Sequence, residues 1–218
     1  MRKFAVLLKQ NPRTLSDMTD FLFDTMTVYD RKSTKPAAVR NAIGEVAEEF
    51  ACRALGMQRL RVDGRKKLCA DAMLGDSPVE IKSIGRSRTG LLYKWRRDKE
   101  LKAYGRDYLY VFVLHDCTIK TSGGAEIVLS MRDTPPAILI TTLGRVVDAI
   151  GDKPVRTFRM FDAPPPEQFD RKTMHGSQRA GYVEGGWQFR IKDIPVRYST
   201  TTTFQWCGNI VTSKLLHS

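Results

Sequence analysis

Apolar residues recur at helical spacing between residues 36 and 55, at intervals of four, three, four and four. The five positions are Val39, Ile43, Val46, Phe50 and Ala54. This spacing places their side chains on one stripe and predicts an amphipathic helix. Because Pro36 suits a first helical turn and Gly56 suits a stop, we expect the helix to run from Pro36 to Leu55.

After this helix the pattern changes to short runs that are typical of strands. Residues 67–74 and 79–84 are predicted strands, and the turn formers Gly75-Asp76-Ser77-Pro78 lie between them. Residues 107–114 are almost entirely apolar, which predicts a strand buried on both faces. Residues 126–130 predict one more strand.

Two further helices are predicted. The first is a basic stretch at 91–104, and the second covers 141–150, with Thr141 or Thr142 as its cap. Alternating residues at 187–192 and the β-prone stretch 195–212 predict strands near the C-terminus.

The order of these elements predicts an α/β fold with a mixed central sheet flanked by helices. We expect three parts. They are a helical N-terminal extension at 1–35, a core at 36–150, and a C-terminal loop and β extension at 151–218 that packs on the core.

The composition is that of a soluble globular protein, with 218 residues, 42% of them hydrophobic and 28% charged. The 36 Lys and Arg exceed the 24 Asp and Glu by 12, and this excess predicts a polyanionic partner, nucleic acid before an anionic membrane. The chain contains no run of 18 apolar residues. The four cysteines show no C-x-x-C spacing, which favours free thiols. We therefore expect a cytoplasmic protein without a membrane partner.

The predicted hairpin carries the candidate chemistry. A two-residue loop at Gly75-Asp76, with glycine first as a type II′ turn requires, would place Asp71 directly opposite Glu80. Lys82 lies two residues beyond Glu80 and shares its face. Two carboxylates this close repel each other unless a cation joins them, and oxygen ligands favour Mg²⁺ or Mn²⁺. The ammonium could position the attacking water or offset charge on a phosphate.

Asp71 followed by Glu80-Ile81-Lys82 resembles the D…(D/E)-x-K signature of the PD-(D/E)XK, or restriction-endonuclease-like, nucleases. Gly44-Glu45-Val46-Ala47-Glu48 resembles the first core helix of archaeal Holliday-junction resolvases, where a glutamate four residues after a glycine helps to hold the metal. The resemblance covers about residues 37–130. Ala70 stands where many members have proline before the aspartate.

The resemblance implies a restriction-endonuclease-like core and a role for each matching residue. Asp71 and Glu80 would ligate Mg²⁺ or Mn²⁺, together with the backbone carbonyl of Ile81. Lys82 would be the catalytic lysine, and Glu48 an accessory acid at the metal. The implied activity is hydrolysis of phosphodiester bonds in double-stranded or branched DNA, of the restriction, resolvase or phage recombination type. Most members work in pairs, so a homodimer is expected.

Plainer interpretations stay open. The helix glutamates could form only its solvated face, and helical geometry alone does not choose between Glu48 and Glu49. The hairpin charges could form a surface ion pair. On either interpretation the chain would be a non-catalytic nucleic-acid-binding protein that retains a basic groove, or a phage assembly protein.

The basic stretch that follows the hairpin is the predicted nucleic-acid surface. It combines cations for phosphate contacts with aromatic residues that can stack on bases. The residues singled out are Arg86, Arg88, Lys94, Trp95, Arg96 and Arg97.

Overall fold

The structure is a computed structural model, and it describes residues 36–60, 70–85, 87–116, 118–122, 126–130, 135–150, 186–206 and 208–218. The helices in these residues are α1 (Pro36–Leu55), α2 (Lys94–Tyr104) and α3 (Leu143–Ile150). The first strands are β1 (Gln58–Arg59), β2 (Ala72–Leu74), β3 (Ser77–Ile84), β4 (Thr89–Tyr93), β5 (Leu109–Leu114) and β6 (Thr118–Ser122). They are followed by β7 (Glu126–Ser130), β8 (Ala137–Thr142), β9 (Gly186–Arg190), β10 (Tyr198–Trp206) and β11 (Asn209–His217).

The chain divides into two compact units. The larger, here called the sheet unit, contains the described residues up to Arg88, those of Leu109–Thr141, and Val196–Ser218. The smaller, here called the ribbon unit, contains Thr89–Tyr108 and the described residues of Thr142–Pro195.

The sheet unit is built on one mixed sheet of seven strands in the order β1-β2-β3-β5-β8-β11-β10. β3 pairs with β5 and β8 pairs with β11 in parallel, whereas β2–β3 and β10–β11 are antiparallel hairpins. β5 lies in the middle, and every residue from Tyr110 to Leu114 is buried. This confirms the strand that the apolar run predicts to be buried on both faces.

Helix α1 carries the core of the sheet unit. Val46, Phe50 and Ala54 of the predicted stripe are buried against apolar residues of the sheet. The sheet curls so that α1 contacts both β3 and the distant strand β10. The Phe50 ring forms T-shaped pairs with Phe204 and Trp206, with ring centroids 5.1 Å apart in each pair. The predicted helix bounds are confirmed.

The ribbon unit contains α2, α3 and the antiparallel pair β4–β9. Gly90 of β4 lies so close to the Phe189 ring that a Cβ on it would approach a ring carbon to 2.2 Å, so the strand needs glycine there. The predicted helix at 91–104 is wrong in its first turn, because residues 91–93 belong to β4 and the helix begins at Lys94. The Thr142 hydroxyl accepts the Arg145 amide, which confirms the predicted cap of α3.

The coarse prediction of a mixed α/β fold with a central mixed sheet and helices is confirmed. The hairpin of β10 and β11 is part of the seven-stranded sheet. The domain bounds at 35 and 150 adjoin residues 1–35 and 151–185, which lie outside the described residues, and they remain predictions. No helix in the described residues combines the length and apolar character needed to cross a membrane.

Candidate functional site

The hairpin of β2 and β3 forms in the register that the sequence predicts. Leu74 pairs with Ser77, Met73 with Pro78 and Ala72 with Val79. Gly75 has φ +57°, the left-handed value that the first central residue of a type II′ turn requires. The loop therefore fixes which residues of the two strands meet.

Asp71 departs from that register. Its N–H donates to the Val79 carbonyl (2.9 Å), although Val79 already pairs with Ala72, so two residues stand opposite one in a β-bulge. Its carboxylate Oδ2 accepts the Ile81 N–H at 2.9 Å. The predicted direct pairing of Asp71 with Glu80 is thus replaced by anchorage on the main chain between Glu80 and Lys82. The bulge is the physical reason, because it re-aims the side chain at the end of a strand.

Glu80 and Lys82 form an ion pair on one face of β3. Val79 and Ile81 point to the other face, into the core that contains α1. The Glu80 side chain is completely buried and the Lys82 side chain is 30% exposed, so Lys82 is the member of the pair that solvent reaches. A carboxylate buried to this degree requires a charged or hydrogen-bonding partner, and Lys82 supplies one.

Glu48 approaches Asp71 from helix α1. Burial and the neighbouring charge of Asp71 raise the pKa of Glu48 above its ordinary value, although Arg59 acts in the opposite direction. The pKa shift shows that the two carboxylates lie within electrostatic reach of each other. Which of the three helix glutamates acts as the accessory acid stays a prediction.

Arg59 of β1 is a residue beside Glu48 that was not predicted from the sequence. Its guanidinium pairs with Glu45 and, at 2.7 Å, with Glu48. Glu49 is 3.9 Å from Arg59 and bonds more closely to Arg53, at 2.8 Å. Burial opposes the charge of Arg59, but the bonds to Glu48 and Glu45 outweigh it and raise its pKa. The one feature of the sequence that indicates a cation here is the group of three glutamates, Glu45, Glu48 and Glu49, on one face of α1.

The groups around Asp71 include carboxylates and main-chain carbonyls. Their oxygen atoms fit Mg²⁺ or Mn²⁺, which prefer carboxylate and carbonyl oxygens. Within a strand the N–H and C=O of one residue point to the same edge, so the Ile81 carbonyl lies on the edge that Asp71 occupies. In the described residues no group of three His, Cys, Asp or Glu side chains converges as a ready-made metal site. Mg²⁺ commonly binds through one or two carboxylates, with water completing its coordination, and this edge offers the Asp71 carboxylate.

A second polar cluster lies where β3 and β5 end. Ser83 Oγ and His115 Nε2 are 2.8 Å apart, and Arg88 donates to the His115 carbonyl at 2.9 Å and to Asp116 at 3.0 Å. Arg88 has φ +52°, a left-handed value unusual for a residue with a side chain. Burial, and then the charge of Arg88, lower the pKa of His115 to about 4. The histidine is therefore neutral at pH 7.

The predicted nucleic-acid residues fall in different places. Arg86 lies outside the described residues, and Arg88 belongs to the sheet unit. Lys94 and Trp95 begin α2 in the ribbon unit, but their side chains are outside the description. Arg96 pairs with buried Glu100, and Arg97 lies 4.2 Å from the Trp187 ring centroid. Their part in nucleic-acid binding stays a prediction.

Comparison with known proteins found no matching family model, no matching curated protein and no matching solved structure.

Proposed function

We propose that this protein is a metal-dependent deoxyribonuclease, with its site at the edge of β3. The observation that carries the proposal is the anchorage of the Asp71 carboxylate on the Ile81 N–H, between the ion-paired Glu80 and Lys82. A restriction-endonuclease-like core is part of this proposal. It is supported by the order of helix α1, hairpin β2–β3 and buried strand β5, with β3 and β5 parallel.

Asp71, Glu80 and the Ile81 carbonyl are the groups that would hold Mg²⁺ or Mn²⁺, with Glu48 as the accessory acid. When bound, the ion would supply Lewis acidity to a phosphoryl oxygen. The ion would also relieve the repulsion between Asp71 and Glu48 that helps to raise the pKa of Glu48.

Lys82 is the residue that we expect to contact the scissile phosphate. Its side chain is partly exposed, and the ion pair with Glu80 fixes the position of its ammonium. It would donate hydrogen bonds to a phosphate oxygen and offset the negative charge that grows there as the bond breaks. Arg59 acts one step away, because it holds Glu48 and Glu45 in place on α1.

The charge of the whole chain supports a nucleic-acid substrate. A net charge of +12 attracts a phosphate backbone without regard to sequence. The same charge also suits a nucleic-acid-binding protein without catalysis, or a basic assembly protein, so charge alone does not choose between these functions.

Cleavage of supercoiled, linear, single-stranded and four-way-junction DNA, in Mg²⁺, Mn²⁺ or EDTA, tests the proposal. We expect cleavage with either ion and none with EDTA. Lys82→Ala should lower the rate at least on the order of 10²-fold while DNA binding is retained. Lys214→Ala, which removes the same charge from an exposed position of β11, is the matched control and should cleave normally.

Each of the other outcomes contradicts the nuclease. Binding without cleavage under every condition would favour a non-catalytic nucleic-acid-binding protein. Absence of both binding and cleavage would favour the assembly protein. Equal losses in the Lys82 and Lys214 variants would show that only charge, and not the site, had been measured.

A further inference from the structure

Strand β10 is an edge of the seven-stranded sheet. Among the described strands it has a neighbour on one side only, which is β11. The two strands pair without interruption over nine residues, from Tyr198 opposite His217 to Trp206 opposite Asn209. A long, regular edge of this kind offers a row of main-chain donors and acceptors to another strand.

The register shows which residues offer those groups. Two residues separate Trp206 from Asn209, and the residues that flank a two-residue hairpin loop form a hydrogen-bonded pair. Hydrogen bonding to β11 therefore falls on the even-numbered residues of β10. The odd-numbered residues direct their N–H and C=O groups outwards, and they are Ser199, Thr201, Thr203 and Gln205. All four are exposed.

Edge strands are commonly protected by a charge, a proline or a bulge. β10 has no charged residue and no proline from Tyr198 to Trp206. Such guards occur only before it, where Pro195 and Arg197 precede the strand and the Arg197 N–H donates to His217. In a chain with a net charge of +12, β10 itself is thus an uncharged strand to offer a second copy, and the exposed Lys214, opposite Thr201, lies one strand further in.

We propose that β10 pairs antiparallel with β10 of a second copy of this chain, about a two-fold axis at Thr202. Full overlap of the two strands places Thr201 opposite Thr203 of the other copy, and both of these residues direct main-chain groups outwards. The pairing is self-complementary, because each uncharged residue meets another. It also places the two Arg197 side chains about 30 Å apart, at opposite ends of the shared ribbon.

The first test adds one charge at the edge. The mass in solution, measured by light scattering over a concentration series, should reach that of a dimer for the unaltered chain. Thr203→Lys should shift it to the monomer, because the new charges of the two copies become diagonal neighbours. Thr212→Lys is the matched control, since Thr212 is exposed, lies opposite Thr203 and places the same charge one strand further in. It should remain a dimer.

The second test locates the axis. Residues opposite each other in a non-hydrogen-bonded antiparallel pair have Cα atoms about 4.5 Å apart, within disulfide range. Under mild oxidation Thr202→Cys should therefore link two copies, whereas Thr200→Cys and the unaltered chain, with its own four cysteines, should not. Selective linkage at 202 is independent of whether the chain cleaves DNA.

The remaining outcomes overturn the proposal. A dimer that survives Thr203→Lys uses a different surface. For a monomeric chain, hydrogen exchange at the outward amides of β10 identifies the reason. Protected amides would show that other residues of the same chain cover the edge, and rapid exchange would show that nothing does. If these amides become protected only when a partner protein is added, the edge binds an extended peptide of that partner and not a second copy of this chain.

Discussion

Among the residues that the structure describes, two glutamates are buried almost completely, one in each unit. Glu80 on β3 is 0% exposed and pairs with Lys82, and Glu100 on α2 is 1% exposed and pairs with Arg96. By burial and pairing alone the two positions are equivalent. A spacing of two residues on a strand and a spacing of four on a helix each bring an acid and a base to one face.

The surroundings distinguish them. Beside Glu80, the Asp71 carboxylate is anchored on the next residue of the strand, and Glu48 lies within electrostatic reach of Asp71. The nearest acid to Glu100 along α2 is Asp98, which is exposed and pairs with Arg97. A buried ion pair by itself is weak evidence of function. The comparison teaches that a candidate site is better indicated by the further carboxylates near an ion pair than by the ion pair itself.

The largest expected effect comes from removing the basic partner of each glutamate. Arg96→Met leaves Glu100 buried without that partner and should lower the free energy of unfolding by about 3 kcal/mol. Lys82→Met should also destabilise the protein without metal. Mn²⁺ should restore stability to the Lys82 variant alone, because only that carboxylate has other metal ligands beside it. Urea unfolding with Mn²⁺ or EDTA measures both effects.

Equal recovery of the two variants in Mn²⁺ would remove the distinction between the glutamates. Absence of recovery in both would contradict the metal ligands proposed at β3 while leaving the stability argument intact. The unaltered chain, measured in the same two buffers, is the reference for Mn²⁺ binding elsewhere.

The sequence predicts one side of this comparison and not the other. Spacing within a single element was enough for Glu80 with Lys82, and turn chemistry was enough for the register from Leu74 to Ala72. The bulge at Asp71 could not be predicted, because it depends on how β2 ends against its neighbour. Arg59 was missed for the same kind of reason, since it meets the helix glutamates only after β1 has joined the sheet.

The fold follows the same rule. Helix α1 was predicted from its apolar spacing and strand β5 from its unbroken apolar run, and both are confirmed at or near their predicted bounds. The basic stretch at 91–104 has the composition of a helix throughout, but its first residues pair with β9, a partner far along the chain. Tertiary pairing overrides local propensity there.

A smaller effect concerns His115, where burial and the charge of Arg88 outweigh the opposite charge of Asp116. Its pKa is lowered to about 4. Below about pH 6.5 this histidine therefore binds a proton in the unfolded chain but stays neutral in the folded chain. Stability should therefore be full above that pH and should decrease by about 2 kcal/mol between pH 7 and pH 5. Urea unfolding across this range measures the slope.

His115→Gln should flatten that slope, because glutamine does not titrate. His217→Gln is the control, since His217 is a half-buried histidine of the same unit for which burial is less complete. If the unaltered chain and the His115 variant lose stability equally on acidification, the carboxylates and not this histidine dominate the acid response.

The smallest effect tests whether Glu48 contributes to the proposed metal site or belongs only to the solvated face of α1. Its raised pKa means that its ionisation costs stability, and that it is protonated at a higher pH than an ordinary carboxyl. Mn²⁺ requires the charged form, so affinity should decrease as the pH falls through that raised value. Glu48→Gln should bind Mn²⁺ several-fold more weakly and with less dependence on pH.

Glu49→Gln, which loses the neighbouring acid bonded to Arg53, is the control and should keep both the affinity and its pH dependence in calorimetric titration. Identical titrations for the two variants would return Glu48 to the solvated face of the helix and leave Asp71 and Glu80 as the acidic side chains of the proposed site.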